Sequence, residues 1–374
     1  FAVVVAAPAA NQRHVEEQVP SPVLLQLLPT NTPESTPSIQ RGSFHGAGGT
    51  LLGMQIVNVC LTIVTLGAYH FWAKAKIRRY LFSQTSFAGD RFVYHGTGKE
   101  LYQGFLKATV VFGIPYFSLG AAHSFLALPQ SVDFLLQAMA ALVLFLYVPV
   151  AIVNARRYRC TRTSWRGIRF SFRGRTVDFL KLYFKGWLFT LLTLGTYYPY
   201  FQTQRQAFLH SHTYFGNQRF RFTGHGSGLM VPFAVTLFTT YAVLCLCGLA
   251  LALQLTNAGL TLLLIPFVLG PVWVWLLGQK QKYYWDHTTF GEARFSSSIT
   301  WQKLFGLYLG NLALLLLTLG WAWPWVTVRN ARFFIGTLSL QGLTDLDRVL
   351  QDTTETSVTG EGLSNLLDTG FDMD

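Results

Sequence analysis

The sequence predicts a mainly α, polytopic membrane protein: about seven apolar helical segments in a repeated arrangement, with short cytoplasmic β-hairpins between them. Three observations carry this expectation. Hydrophobic residues make up 51% of the 374-residue chain and charged residues only 12%, where a soluble domain carries about 25% charged. A Thr-Leu-Gly triplet recurs at Thr65, Thr193 and Thr318, 128 and 125 positions apart, each time closing an apolar run and opening an aromatic and basic one. Short stretches of period-2 alternation recur between the apolar blocks, the pattern of half-buried strands.

Taken in order, residues 1–41 hold six prolines and little periodicity, and read as a disordered N-terminal arm. The chain opens on Phe1 rather than Met, so a start further upstream is expected. Thr50–Trp72 carries no charge and is long enough for one crossing at about 1.5 Å per residue. Tyr69, Phe71 and Trp72 suit headgroup depth, and the following Lys74, Lys76, Arg78 and Arg79 place a basic face toward phosphates. The expected membrane domain is 42–342, with internal repeats at about 42–160, 161–285 and 286–342. A tail with eight acids follows over 343–374 and reads as disordered.

Hairpin patterns fall at Thr85–Tyr94, Thr163–Phe172, Tyr214–Phe222 and Thr289–Phe295, with a degenerate fifth at Ile335–Leu340. Two-stranded hairpins are marginal alone, so the pieces are expected to assemble into one small sheet outside the bilayer. Between them, the block Gly104–Asn154 holds spans at roughly 105–127 and 134–154, and Gly228–Leu277 holds spans at roughly 229–254 and 259–277. Neither internal loop carries Lys or Arg, whereas Arg156, Arg157, Arg159, Lys280 and Lys282 crowd the outer ends. By the positive-inside rule those ends are cytoplasmic. The shorter segments 181–200 and 304–326 match 50–72, and each lies between two basic regions. Either they cross, or they bend near Thr-Leu-Gly and leave by the face they entered. For 181–200 the same-face reading is preferred, because basic residues flank it on both sides.

Residues 41–342 hold 27 Lys and Arg against six acids, a balance of +21. Because these cations sit beside apolar runs, anionic lipid is the expected partner and nucleic acid is not. The candidates for headgroup or interface contact are Trp72, Lys74, Arg78, Arg79, Arg156, Arg157, Arg205, Lys280, Lys282 and Arg329. Gly67, Gly195 and Gly320 are hinge candidates. Glu100 and Asp178 are rare acids at the membrane edge, suited either to function or to a helix N-terminus. Gly96-Thr97-Gly98-Lys99 lacks the spacing of a phosphate loop, and its glycines are expected to serve the turn from sheet to helix. Cys60, Cys160, Cys245 and Cys247 have neither zinc nor redox spacing and read as small buried hydrophobes. With no nucleophile–base pair or metal set in view, neither enzymatic activity nor a cofactor is expected.

The run N-x-x-L-T-x-x-T-L-G-x-Y-x-x-W-A-K-x-x-x-R-R-Y from Asn58 to Tyr80, with G-T-G-x-E-L at Gly96–Leu101 and Gly104 beyond it, resembles the signature of the YjgN-like bacterial membrane proteins. The resemblance covers about residues 42–342. The later copies depart from it: Trp72-Ala73-Lys74 becomes Tyr200-Phe201-Gln202 and then Trp325-Val326-Thr327. That family has no assigned function, so the resemblance implies the bacterial inner membrane and an architecture, but no reaction. Two roles stay open: a transporter- or channel-like protein, or a non-transporting scaffold that binds anionic lipid or a protein partner. The first would bring Gly67, Gly195 and Gly320 together near a cavity. The second would have a packed interior with no polar path.

Overall fold

The computed structural model describes residues 39–125, 129–254 and 256–342. The expected N-terminal arm, apart from residues 39–41, and the acidic tail at 343–374 lie outside the described residues. The alternating stretches form ten short strands: β1 (Gln40–Phe44), β2 (Thr85–Phe87), β3 (Asp90–Tyr94), β4 (Thr163–Trp165), β5 (Ile168–Phe172), β6 (Thr213–Phe215), β7 (Gln218–Phe222), β8 (Thr288–Phe290), β9 (Ala293–Ser297) and β10 (Leu338–Gln341). Every neighbouring pair is antiparallel, and β1 pairs with both β2 and β10, so the sheet closes on itself as a barrel.

Closure corrects the expected fold class. The strands are not short hairpins accessory to a helical bundle, and the one small sheet expected of them is closed on itself. They form one ten-stranded barrel, and its closing strand β1 straddles the expected boundary between the arm and the membrane domain. A two-stranded ribbon leaves open edges, and joining all ten strands in a circle removes them.

Each long strand leads into a pair of helices that returns to the next short strand. The pairs are α1 (Gly48–Val64) with α2 (His70–Ser83); α3 (Gly98–Ala108), continued through a π-helical turn at Thr109–Gly113 into α4 (Ile114–Phe125), with α5 (Gln130–Thr161); α6 (Thr176–Leu192) with α7 (Tyr198–Ser211); α8 (Met230–Ala252) with α9 (Ala258–Asp286); and α10 (Trp301–Leu317) with α11 (Trp323–Gly336). The turns within hairpins lie at one rim of the barrel and all helix connections at the other. Helices of successive pairs pack together, α2 on α3, α5 on α6, α9 on α10 and α11 back on α1. The helices therefore stand around the axis of the barrel.

Of the seven apolar segments, four have the length of a crossing. Among the described residues, four helices are long and apolar enough to span a membrane: Gly98–Ala122, Gln130–Thr161, Gly226–Ala252 and Gly259–Asp286. The three shorter segments reverse at Thr-Leu-Gly instead. Thr65 Oγ1 donates to Leu61 O (2.7 Å) and accepts from Tyr69 N (2.9 Å), which ends one helix and starts the next. Thr193 and Thr318 repeat the arrangement. The N–H of each glycine reaches the carbonyl five residues back, at Thr62, Thr190 and Leu315. Such a reversal needs positive φ, which Gly67, Gly195 and Gly320 adopt at +94°, +92° and +90°. Segment 181–200 thus leaves the barrel rim and returns to it.

The preceding Leu66, Leu194 and Leu319 also have positive φ, at a cost of about 1–2 kcal/mol each. They are 97%, 83% and 91% exposed. Three bare leucines at three helical tips make sense with hydrocarbon as their solvent. Counted back from the following strand, these tips fall 16 residues short of the far loop before α5, or about 24 Å of helix. With a hydrocarbon core of about 30 Å, the three tips lie a turn or so inside the near leaflet while the two long pairs cross. Tyr69, Trp72, Tyr197, Trp321 and Trp323 then stand at the interface, as aromatic belts do.

The glycine-rich links between strand and helix are fixed by packing. A Cβ on Gly46, Gly96, Gly174 or Gly224 would come within 2.5–2.6 Å of the ring of Phe44, Tyr94, Phe172 or Phe222, the aromatic two residues earlier. A Cβ on Gly48, Gly98 or Gly226 would meet Trp325, Trp72 or Tyr200 of the adjacent helix pair at 2.3–2.5 Å. The phosphate-loop look of Gly96–Lys99 therefore comes from close packing. Gly96→Ala and Gly174→Ala should each destabilise the protein by about 1–3 kcal/mol, as overpacking does. Gly49→Ala, which meets open space, should leave stability unchanged or slightly raised. Thermal unfolding in detergent distinguishes the three.

Candidate functional site

Period-2 alternation sends one face of each long strand into the barrel. Phe92, Phe170, Phe220 and Phe295 project inward, with successive ring centroids 6.4, 6.5 and 6.2 Å apart and planes 23–26° from parallel. Registered opposite them on the short strands are Trp165, Phe215, Phe290 and Leu340. Phe87 completes the second tier, opposite Gly42. Trp165, Phe215 and Phe290 are 5%, 2% and 7% exposed. The barrel is thereby floored by stacked aromatics.

Above this floor, at the junction with the helices, lies a cavity of about 480 Å³. Its upper wall comes from the last turns of the returning helices: Phe82 from α2, Arg156, Arg159 and Cys160 from α5, His210 from α7 and Trp285 from α9. Thr163, Thr213 and Thr288 ring its waist. Arg156 donates from Nη2 to Thr213 Oγ1 (3.4 Å), while its Nε is buried with no partner among the described residues. His210 Nδ1 lies 3.3 Å from Thr288 Oγ1, and its ring packs on Phe222 and Trp285. Burial and then the nearby Arg156 charge hold the His210 imidazole down at about 4, from an ordinary 6.5.

A second cavity of about 330 Å³ lies between α6–α7 and α8–α9, lined by Tyr198, Gln202, Lys280 and Tyr284 among apolar neighbours, with Gly195 at its edge. Arg205 Nη2 donates to Gln202 Oε1 (3.1 Å), and its Nε is also buried without a partner among the described residues. Lys280 Nζ lies 6.0 Å from the centroid of the Tyr284 ring.

Among the described residues no carboxylate lines either cavity. The six described acids are placed elsewhere. Asp90 pairs with Arg166 near the distal turns. Glu100 closes a capping box with Thr97, accepts from Tyr158 Oη (3.0 Å) and meets Arg162 at 2.7 Å, so it binds α3 to α5. Asp133 sits at the far end of α5, accepting from Gln137. Asp178 is exposed in the first turn of α6, and Glu292 is exposed in the turn between β8 and β9. Asp286 accepts the Ser297 N–H at 2.9 Å.

The other expected headgroup residues line neither cavity. Arg79 and Arg157 reach the carbonyls of Gly96 (3.3 Å) and Gly174 (3.1 Å), and Arg332 reaches Gly46 in the same way. These arginines secure the glycine links of the neighbouring unit. Trp72 packs against Gly98 and Tyr102. Arg329 lays its guanidinium across Gly310. Lys74 and Arg78 are half-buried on α2, and Lys282 is exposed on α9. Gly67, Gly195 and Gly320 each sit at the tip of their own hairpin with open space around them. From sequence, His210 and His212 read as interfacial histidines rather than as a ligand pair, and Thr213, Thr288, Trp285 and the inward aromatics carried no site signal. The aromatics' period-2 spacing was visible, but their convergence follows only from barrel closure.

The fold and site define a polytopic membrane protein whose returning helices carry cations to the mouth of a closed, aromatic-floored barrel. The chain belongs to the bacterial family described as "Bacterial protein of unknown function (DUF898)", whose model matches residues 39–366. It is similar to inner membrane protein YjgN of Escherichia coli O157:H7, at 35% identity over 130 residues, 34% of this chain and 30% of that protein. The same protein of Escherichia coli K12 is 32% identical over 130 residues, again covering 34% and 30%. That of Salmonella typhimurium LT2 is 28% identical over 130 residues, covering 35% and 30%. The matched stretch spans under a third of each relative. None of the solved structures matches the chain significantly. The protein is a multi-pass protein of the bacterial inner membrane.

His210 offers a test of the site's electrostatics. Its folded value lies below its ordinary one, so on acidification the unfolded chain takes up the proton first. The corresponding stability, fully present above pH 6.5, is lost as pH falls toward about 4. Thermal midpoints measured across this window should fall more steeply for the wild type than for His210→Asn.

Proposed function

We propose that this protein is a non-conducting membrane scaffold that gathers anionic lipid at the rim where its helices meet its barrel. The observation that carries the reading is the aromatic floor. Packed rings line the barrel end of the axial cavity, and a water-filled conduit would need a polar path there. The perimeter supports the lipid half of the reading. Lys76, Lys181, Lys185, Lys282 and Lys303 are exposed on helices near the interface, and each such cation near an anionic surface contributes about 1 kcal/mol. The three hydrocarbon-seated tips add anchorage in the near leaflet, and the basic flanks make that the cytoplasmic leaflet under the positive-inside rule.

Reconstitution into vesicles tests both halves. Fluxes of small cations, anions and a neutral dye should equal those of protein-free vesicles. Native mass spectrometry should find phosphatidylglycerol retained in preference to phosphatidylcholine. Changing Lys76, Lys181, Lys185 and Lys282 together to Gln should reduce that preference several-fold. Protein-dependent flux would support a conducting protein and sink this reading.

A further inference from the structure

We propose that the axial cavity is a binding site for a phosphate-bearing organic molecule, with the phosphate on Arg156 and the attached apolar or ring portion against the aromatic floor. This rests on the lipid-binding reading and deepens it by giving it a discrete site, and it is tested separately from that reading.

The argument begins with charge. Arg156 carries a full positive charge at the edge of a largely aromatic cavity, and its Nε has no partner among the described residues. Burying such a donor unpaired is costly. Its company there is a threonine hydroxyl and a histidine that its own charge helps to keep neutral. Arg159 lines the same space, and Arg205, whose Nε is buried in the same condition, lies one layer further up. Among the described residues no carboxylate lines this cavity, and an anion entering it would meet the Arg156 guanidinium. Guanidinium forks match the oxygens of phosphate, and several cations together suit its double charge.

The second half of the argument is shape and chemistry. A cavity of about 480 Å³ falls in the range that holds one small molecule. Its polar groups gather at the upper wall and waist: arginines, His210, and the hydroxyls of Thr213 and Thr288. Its lower half is the aromatic floor. A bare inorganic ion would leave that floor unused, whereas a phosphate ester fills both halves. The same chemistry is offered by a phospholipid headgroup arriving from the membrane and by a soluble organophosphate.

The test uses the full chain in a zwitterionic detergent and isothermal titration with phenyl phosphate and inorganic phosphate. Phenyl phosphate should bind at least tenfold more tightly than inorganic phosphate. Arg156→Gln should weaken phenyl phosphate at least tenfold, while Arg156→Lys retains part of the affinity. Phe215→Leu should narrow the gap between the two ligands while leaving inorganic phosphate unchanged, and it serves also if Arg156→Gln fails to fold. Competition by short-chain phosphatidylglycerol identifies a headgroup as the source, and failure to compete identifies a soluble ester; either supports the site. Absence of phenyl phosphate binding, or equal binding by wild type and a folded Arg156→Gln, overturns it. Loss of perimeter lipid selectivity with intact phenyl phosphate binding would sink the scaffold reading alone.

Discussion

The pairing of β1 with β10, in the register Gln40 with Leu340 and Arg41 with Ser339, is the constraint on which the rest of the structure depends. It joins strands about 300 residues apart in the chain and turns a ribbon of short hairpins into a cylinder. Strands of three to five residues are weak alone. In a closed cylinder each has a neighbour on both sides, and the inward rings of successive strands stack into one cluster. Closure also places every helix connection at a single rim.

From that rim the two kinds of helix pair follow from length. The long pairs have enough apolar helix to cross the bilayer and return. The short pairs reverse at Thr-Leu-Gly, where a threonine hydroxyl serves two helix ends at once and a glycine supplies the left-handed turn. The exposed leucine at each tip is a strained residue in a place that water would penalise. Hydrocarbon removes that penalty, so strain and exposure have a common explanation in depth. The glycines, read from sequence as hinges, serve this reversal. On the opposite side of the helices, glycine links and the arginines that bind their carbonyls fix one unit against the next.

Much of this was legible in the sequence. The strand positions at Thr85–Tyr94, Thr163–Phe172, Tyr214–Phe222 and Thr289–Phe295 could be read from alternation, because a strand's two faces differ in what they touch. The apolar runs were legible as well, but how they end was not. A run of about 20 apolar residues broken by Gly fits a crossing or a reversal, and the choice depends on the hydroxyl bonds of Thr65, Thr193 and Thr318. Closure was hidden because β1, with Arg41, Gly42 and Ser43, carries little apolar alternation and takes its partner from the far end of the chain. The axial cavity was hidden for the same reason. Arg156 and Arg205 were legible as cations near a membrane edge, but their inward direction is set by the circle of helices above the barrel. Glu100 was ambiguous from sequence, and its bonds to Thr97, Tyr158 and Arg162 give it a structural task.

The basic interior and the closed barrel are two aspects of one arrangement. The cations line a cavity whose floor is aromatic, and the described acids stand away from it. If β1 and β10 did not pair, the floor would open and Arg156 would face water. Closure is therefore the most direct point at which to test the account. The double variant Arg41→Cys with Ser339→Cys, with the four native cysteines changed to Ala, would have Cα atoms at the separation of paired strands, within reach of a disulfide. Mild oxidation in native membranes should link positions 41 and 339 within one chain, as fast as a control pair of cysteines introduced at Ser86 and Arg91. Linkage of the control pair without linkage between positions 41 and 339 would contradict a closed barrel and everything built upon it.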